Sequence, residues 1–214
     1  LEDHVASARM KTTPVIDFEK NESLKGLDHL DTIYHAIVNE HPIQLKYRSF
    51  KARSANSFIF YPYLLKEYRN RWFVYGVRGN GRILQNLALD RIQSLEVLPQ
   101  QHYIKNTFFD PNTFFDDLVG VTKNSGSVAE KVGFKVAAAE APYIITKPIH
   151  RSQQVVERLA DGSVILEIEV VINHELERVF FGYAEGIQVL YPKTLVELMG
   201  RKLKKAAEQY THSK

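Results

Sequence analysis

A small β-barrel followed by an α+β unit is what this sequence predicts, and three observations predict it. Five short strand-like runs with tight turns occupy residues 43–98. A stretch of linker composition, Lys123-Asn124-Ser125-Gly126-Ser127, comes after them. Beyond it the element order changes to β-α-β-β-α-β plus a terminal helix, the ferredoxin-like split βαβ arrangement. Five short strands at this spacing suit a small barrel better than a parallel sheet. The expected organisation is a connector over residues 1–26, a barrel domain with flanking helices over 27–120, a linker over 121–127 and an α+β domain over 128–214.

The elements follow in order. The connector is polar, with one candidate strand near Val15–Phe18. Leu27, Leu30, Tyr34 and Ile37 then recur on one face of a helix that His41-Pro42 must stop. Ile43, Leu45 and Tyr47 alternate with Gln44, Lys46 and Arg48, the pattern of a half-buried strand with a basic outer face. Phe58–Leu65 and Arg71–Val77 are the second and third runs, joined by a tight hairpin at Arg69-Asn70. Gly79-Asn80-Gly81 turns the chain into Arg82–Leu89, and Ile92–Leu98 completes the set. Pro111-Asn112 opens an expected short helix through Phe114, Phe115 and Leu118. In the last part, Val132–Ala138, Gln153–Leu159, Val164–Val171 and Gly186–Leu190 read as strands. Glu140–Lys147, His174–Ala184 and Lys193–Tyr210 read as helices, the second capped by Asn173. The terminal helix carries Arg201, Lys202, Lys204 and Lys205 beside an apolar stripe of Leu195, Leu198, Met199 and Leu203, a surface suited to an interface.

Composition narrows the function. The 214 residues are 44% hydrophobic and 25% charged, ordinary for a folded domain, and include no cysteine. Disulfides and thiolate metal sites are excluded, and a cytoplasmic location is expected. No apolar run approaches the roughly 20 residues that span a bilayer, so no membrane partner is expected. The first residue is Leu1 rather than Met, which suggests a fragment or a processed product. The net charge of +3 is unevenly spread: between Ile43 and Arg91 there are ten basic residues and only two acids, Glu67 and Asp90. That asymmetry suits an anionic partner, although a solvated basic surface would look the same.

A set of short motifs now stands in a recognisable order. Arg71-Trp72-Phe73-Val74-Tyr75-Gly76 resembles the Trp-Tyr-Leu signature of the WYL domain, with Phe73 and Val74 in place of its Tyr and Leu. Tyr47-Arg48-Ser49-Phe50, Pro62-Tyr63-Leu64-Leu65 and Leu89-Asp90-Arg91-Ile92 resemble the family's other marks in sequence order. Pro148–Gln153 and Val189–Pro192 resemble its usual C-terminal extension. Together they extend the resemblance over roughly residues 27–210. The resemblance implies an Sm-like, SH3-type barrel that senses a nucleotide or single-stranded nucleic-acid effector within a homodimeric transcriptional regulator. It also implies that duplex DNA is bound through an N-terminal helix-turn-helix domain absent from this chain. One departure is Ala88, where relatives often carry a basic residue.

The candidate ligand-binding residues are Tyr47, Arg48, Ser49, Arg71 and Arg91. Guanidinium forks match phosphate oxygens, Ser donates a hydrogen bond, and an aromatic ring stacks on a base. The bland alternative is that Arg91 pairs with Asp90 and Tyr47 is core. His150, Arg151 and Ser152 are candidates for a domain junction by resemblance. Gly79-Asn80-Gly81-Arg82 is a hairpin rather than a phosphate loop, because no helix follows it. The eight histidines show no metal-ligand spacing, and Asp110, Asp116 and Asp117 read as capping charges. No catalytic residue, metal or cofactor is expected. Two rivals remain: direct binding of single strands without a regulatory ligand, and an uncharacterised phosphodiesterase.

Overall fold

The computed structural model describes residues 26–79, 81 and 83–211, which form two antiparallel sheets and four α-helices. The candidate strand at Val15–Phe18 lies outside the described residues. A 3₁₀ turn, Leu27–His29, leads into α1 (Leu30–Val38). The strands β1 (Ile43–Tyr47), β2 (Asn56–Tyr68), β3 (Arg71–Arg78), β4 (Leu84–Ala88) and β5 (Ile92–Val97) form the first sheet, ordered β4-β3-β2-β1-β5.

Alternation explains β1: Ile43, Leu45 and Tyr47 are buried while Lys46 is exposed. β2 is longer than the expected run and serves two neighbours, pairing with β1 through its first half and β3 through its second. A register shift between Pro62 and Leu64 lets it bend there, as befits a proline that cannot donate to a ladder. The bend buries Phe60 in one apolar cluster and Tyr61 and Tyr63 in another. Gly76 faces the bend from β3, where a Cβ would stand 2.1 Å from the Tyr61 carbonyl oxygen. Arg69 and Asn70 both take positive φ, 50° and 58°, the tight two-residue turn expected of this hairpin.

Three local readings change. In α1 the buried residues are Ile33 and Ala36, whereas Tyr34 is 55% exposed. Leu27 belongs to the tighter 3₁₀ turn, so the helical period does not extend back to it. The segment after Pro111 is a series of turns, not a helix. Its Phe114 and Phe115 rings both pack on Tyr75, with centroids 5.8 and 5.3 Å away. The 3₁₀ turn Leu89–Arg91 separates β4 from β5, which lie at opposite ends of the sheet order, and no ladder joins them among the described residues. Among the described residues the first unit is thus a five-stranded antiparallel sheet whose edge strands are β4 and β5.

The second unit contains β6 (Glu130–Val136), α2 (Ala141–Thr146), β7 (Gln154–Arg158), β8 (Val164–Val170), α3 (His174–Gly182), β9 (Ile187–Tyr191) and α4 (Lys193–Thr211). Its strand order is β7-β8-β6-β9, antiparallel throughout. Inward residues of β6 and β8, among them Phe134, Leu166 and Ile168, meet Ile144, Leu176, Phe180 and Leu195 from the helices in one core. Leu195 and Met199 anchor α4, and every residue of it beyond Met199 is exposed.

The stretch between the sheets is well packed. Leu118, Val119 and Val121 are buried. The Val121 carbonyl accepts from the Tyr75 hydroxyl and from Asn86 Nδ2 at 2.8 Å. Asp117 accepts from the Val171 N–H at 2.8 Å. This segment therefore bonds to both units.

Candidate functional site

Arg71 opens β3, the 3₁₀ turn after β4 presents Asp90 and Arg91, and Ser49-Phe50 follow β1. The Arg48 N–H donates to the Arg91 carbonyl at 3.1 Å, which draws these segments together. Arg71 grips Asp90 with both arms of its fork: Nε donates to Oδ1 at 3.3 Å and Nη2 to Oδ2. Asp90 is thus the partner of Arg71 rather than of its neighbour Arg91. The Arg91 Nε is buried and finds no hydrogen-bond partner among the described residues.

Phe50 stands over this cluster and is 74% exposed. The Arg91 guanidinium lies 4.3 Å from its ring centroid and that of Arg71 5.7 Å, both within cation–π range. An exposed aromatic flanked by two guanidinium groups offers a base a face to stack on and a phosphate the Arg91 guanidinium, the Arg71 fork being held by Asp90. Tyr47 is not that face. It is 9% exposed and packed in the core. Burial pushes its phenol up, against the opposing pull of Arg91.

Two depressions adjoin at Phe50 and Arg91. One, of about 310 Å³, is lined by Arg48, Ser49, Asp90 and Arg91. The other, of about 540 Å³, takes Arg69, Arg71 and Arg91 from the first unit and His174, Glu175 and Arg178 from α3. Ala88, at the buried end of β4, also borders the larger one. Glu175 is only 6% exposed, and its Oε1 accepts from the Thr122 hydroxyl at 2.7 Å and lies 3.3 Å from His174 Nε2. Gly120 makes room for it: at φ 97°, a Cβ there would stand 2.5 Å from Glu175 Cγ. Hence four of the five predicted ligand residues, Arg48, Ser49, Arg71 and Arg91, surround Phe50, and Tyr47 backs them from the core.

His150, Arg151 and Ser152 line neither depression. Arg151 pairs with Asp116 of the connecting segment at 2.6 Å. His150 Nδ1 lies 2.8 Å from the Ser152 hydroxyl, and that hydroxyl accepts from the Glu169 N–H of β8 at 2.9 Å. Burial holds the His150 imidazole below its ordinary range, helped by the adjacent Arg151 charge. The three acids read as capping charges have ordinary partners: Asp110 accepts from the Asn112 N–H, Asp116 takes Arg151, and Asp117 takes Lys123. Among the described residues, no group of three or more His, Asp or Glu side chains is arranged to hold a metal.

Sequence reasoning missed Phe50, Arg69, His174 and Arg178 as site residues. Phe50 carried one local signal, a large apolar residue set among charged and polar neighbours at a strand end. The α3 pair carried only its spacing of four residues, which places both on one side of the helix.

Comparison with known proteins agrees with this architecture. A family model described as WYL domain matches residues 28–97, and one described as WCX domain matches residues 129–207. No curated protein matches. Among solved structures, proteasome accessory factor B/C (PafBC) of Arthrobacter aurescens is 16% identical at a TM-score of 0.36, covering 90% of this chain and 28% of its own. A CRISPR Cas-related protein is 13% identical at a TM-score of 0.51, covering 87% of this chain and 53% of its own. The chain therefore spans about a quarter and about half of those two lengths. Among the described residues, no helix is long and apolar enough to cross a membrane.

Proposed function

This chain carries a WYL domain followed by a WCX domain, and from that premise we propose that it is the ligand-sensing and dimerising region of a bacterial transcriptional regulator. Its effector is a nucleotide or a single-stranded nucleic-acid-like molecule. The observation that carries this reading is Phe50, an exposed ring with Arg91 and Arg71 against it and Arg48 close by. Stacking and bidentate phosphate contacts are both available there, and neither needs a catalytic group. The excess of ten bases over two acids between Ile43 and Arg91 adds a long-range attraction for anions. In this reading the first sheet is an Sm-like, SH3-type barrel and the second unit a ferredoxin-like domain. The protein works in the cytoplasm as a homodimer, without enzymatic activity, and duplex DNA is contacted through a helix-turn-helix domain outside this sequence.

The same basic excess favours a second reading, direct binding of single strands with no regulatory ligand. Fluorescence-anisotropy titration with short single-stranded DNA, short RNA and labelled cyclic dinucleotides tests both. Saturable binding that weakens at least tenfold in a folded Arg48→Ala, Arg91→Ala double variant is expected. Absence of binding to every probe would overturn the reading. Affinity that keeps rising with strand length and collapses with salt would favour the second.

A further inference from the structure

We propose that Gln93 reads the base that stacks on Phe50, and that the site selects adenine. The inference rests on the functional reading above and deepens it from the class of effector to the base it carries.

Gln93 reaches the site through an irregularity of β5. Along the β1–β5 ladder Lys46 faces Ser94 but Tyr47 faces Ile92, which leaves Gln93 as an extra residue with no counterpart on β1. Ile92 is buried while Gln93 and Ser94 are both exposed, the break in alternation that such a bulge produces. A bulge on an edge strand re-aims the side chain it carries, and bulges are frequent beside functional sites. β5 is an edge of its sheet, and Gln93 borders the smaller depression together with Ser49, Phe50 and Arg91. At about 310 Å³ that depression lies at the lower end of ligand-pocket sizes, with room for one nucleotide unit rather than two.

The lining divides by chemistry. Phe50 supplies stacking, which any base satisfies. Arg48 and Arg91 supply positive charge, which any nucleotide phosphate satisfies. Asp90 is the one carboxylate among the lining residues, and Arg71 bonds to both of its oxygens. Discrimination between bases therefore falls to the neutral polar side chains, Ser49 and Gln93. A hydroxyl donates or accepts by rotating, so Ser49 suits any base edge. The Gln93 carboxamide holds one acceptor and one donor group side by side, and needs a base edge that offers the complementary pair. Adenine offers it on both edges, its amino group standing next to a ring-nitrogen acceptor on either side. Guanine presents only acceptors on its second edge, and the pyrimidines have no such pair there. Adenine thus meets Gln93 in either orientation it can take on the Phe50 ring.

The test is anisotropy titration of this chain with labelled thymidine pentanucleotides whose central base is adenine, guanine, cytosine or thymine, so that charge is equal across the probes. Wild type is compared with Gln93→Leu, which removes the carboxamide, and Gln93→Asn, which keeps it on a shorter arm. Gln93 is exposed, so neither change disturbs the core. Wild type is expected to bind the adenine probe about fivefold more tightly than the thymine probe. In Gln93→Leu that preference should vanish while affinity for the thymine probe stays close to wild type, and Gln93→Asn should restore part of it. A wild-type chain that favours another base or none would overturn the assignment. So would a preference that survives in Gln93→Leu, or an equal loss on every probe in that variant. Each of these leaves the site at Phe50 standing, whereas no binding of any probe by wild type would overturn the functional reading as well.

Discussion

Phe50 is the residue on which stability and binding separate. With three quarters of its surface exposed, it contributes little to the core, and its contacts with Arg91 and Arg71 are of the exposed cation–π kind, about 0.5–1 kcal/mol. Stacking on a base is worth about 1–3 kcal/mol. Phe50→Ala is therefore expected to weaken oligonucleotide binding roughly tenfold or more while moving the denaturation midpoint little, and Phe50→Trp to retain binding. Equal affinity in Phe50→Ala would remove the stacking platform from the site. His150 makes a prediction of the opposite kind, on stability alone. Burial, with the neighbouring Arg151 charge, depresses its folded-state pKa, so the folded protein resists a proton that the unfolded chain accepts near its ordinary value of about 6.5. The stability this group contributes is present above that value and is lost as pH falls toward the depressed one. Urea denaturation at pH 7.5 and 5.5 should show a loss on acidification that is smaller in His150→Gln; an identical loss in both would assign it to other groups.

At the scale of elements, the cap of α3 matters beyond the helix it starts. Loss of an N-cap side chain costs about 0.5–2 kcal/mol. Asn173 also donates to two carbonyls of the connecting segment. Asn173→Ala is expected at or above the top of that range, and Asn173→Asp, which keeps the acceptor but loses both donors, between it and wild type. Chemical denaturation orders the three, and an Asn173→Asp variant as stable as wild type would show that the two donors contribute nothing. This cap was legible in the sequence because its signal is local: a capping residue directly before an amphipathic run. The Arg69-Asn70 hairpin and the alternation of β1 were legible for the same reason. The exposed face of Tyr34 was not, since the 3₁₀ turn at Leu27 breaks the phase of the period. The turns after Pro111 were also hidden, because Phe114 and Phe115 are placed by contact with Tyr75 rather than by any helical preference. Within the site, Arg48, Ser49, Arg71 and Arg91 were readable from charge and motif. Arg178 was not, because nothing in the order of residues says that α3 packs across from β3.

For the whole molecule, the question is whether the two units respond to ligand as one. A molecule that binds only the folded state adds stability by mass action, about 2.7 kcal/mol at a hundredfold excess over Kd. In a chain of this size each kcal/mol raises Tm by roughly 2–4 °C. The groups proposed to meet the ligand around Phe50 belong to the first unit, and the connecting segment bonds that unit to the second. A saturating oligonucleotide should then raise the transition of the first unit by about 5–10 °C and draw that of the second upward through the segment. A second transition that stays where it was would show that the segment does not couple the units. Tyr75→Phe sharpens the comparison. It removes one of the two donors on the Val121 carbonyl, the bond by which β3 holds the connecting segment, and touches no group proposed to meet the ligand. Differential scanning calorimetry of that variant should show weaker coupling, with the ligand-induced shift smaller in the second unit than in wild type. A shift of equal size in both units would mean that the coupling runs through contacts other than the bond from Tyr75 to the Val121 carbonyl.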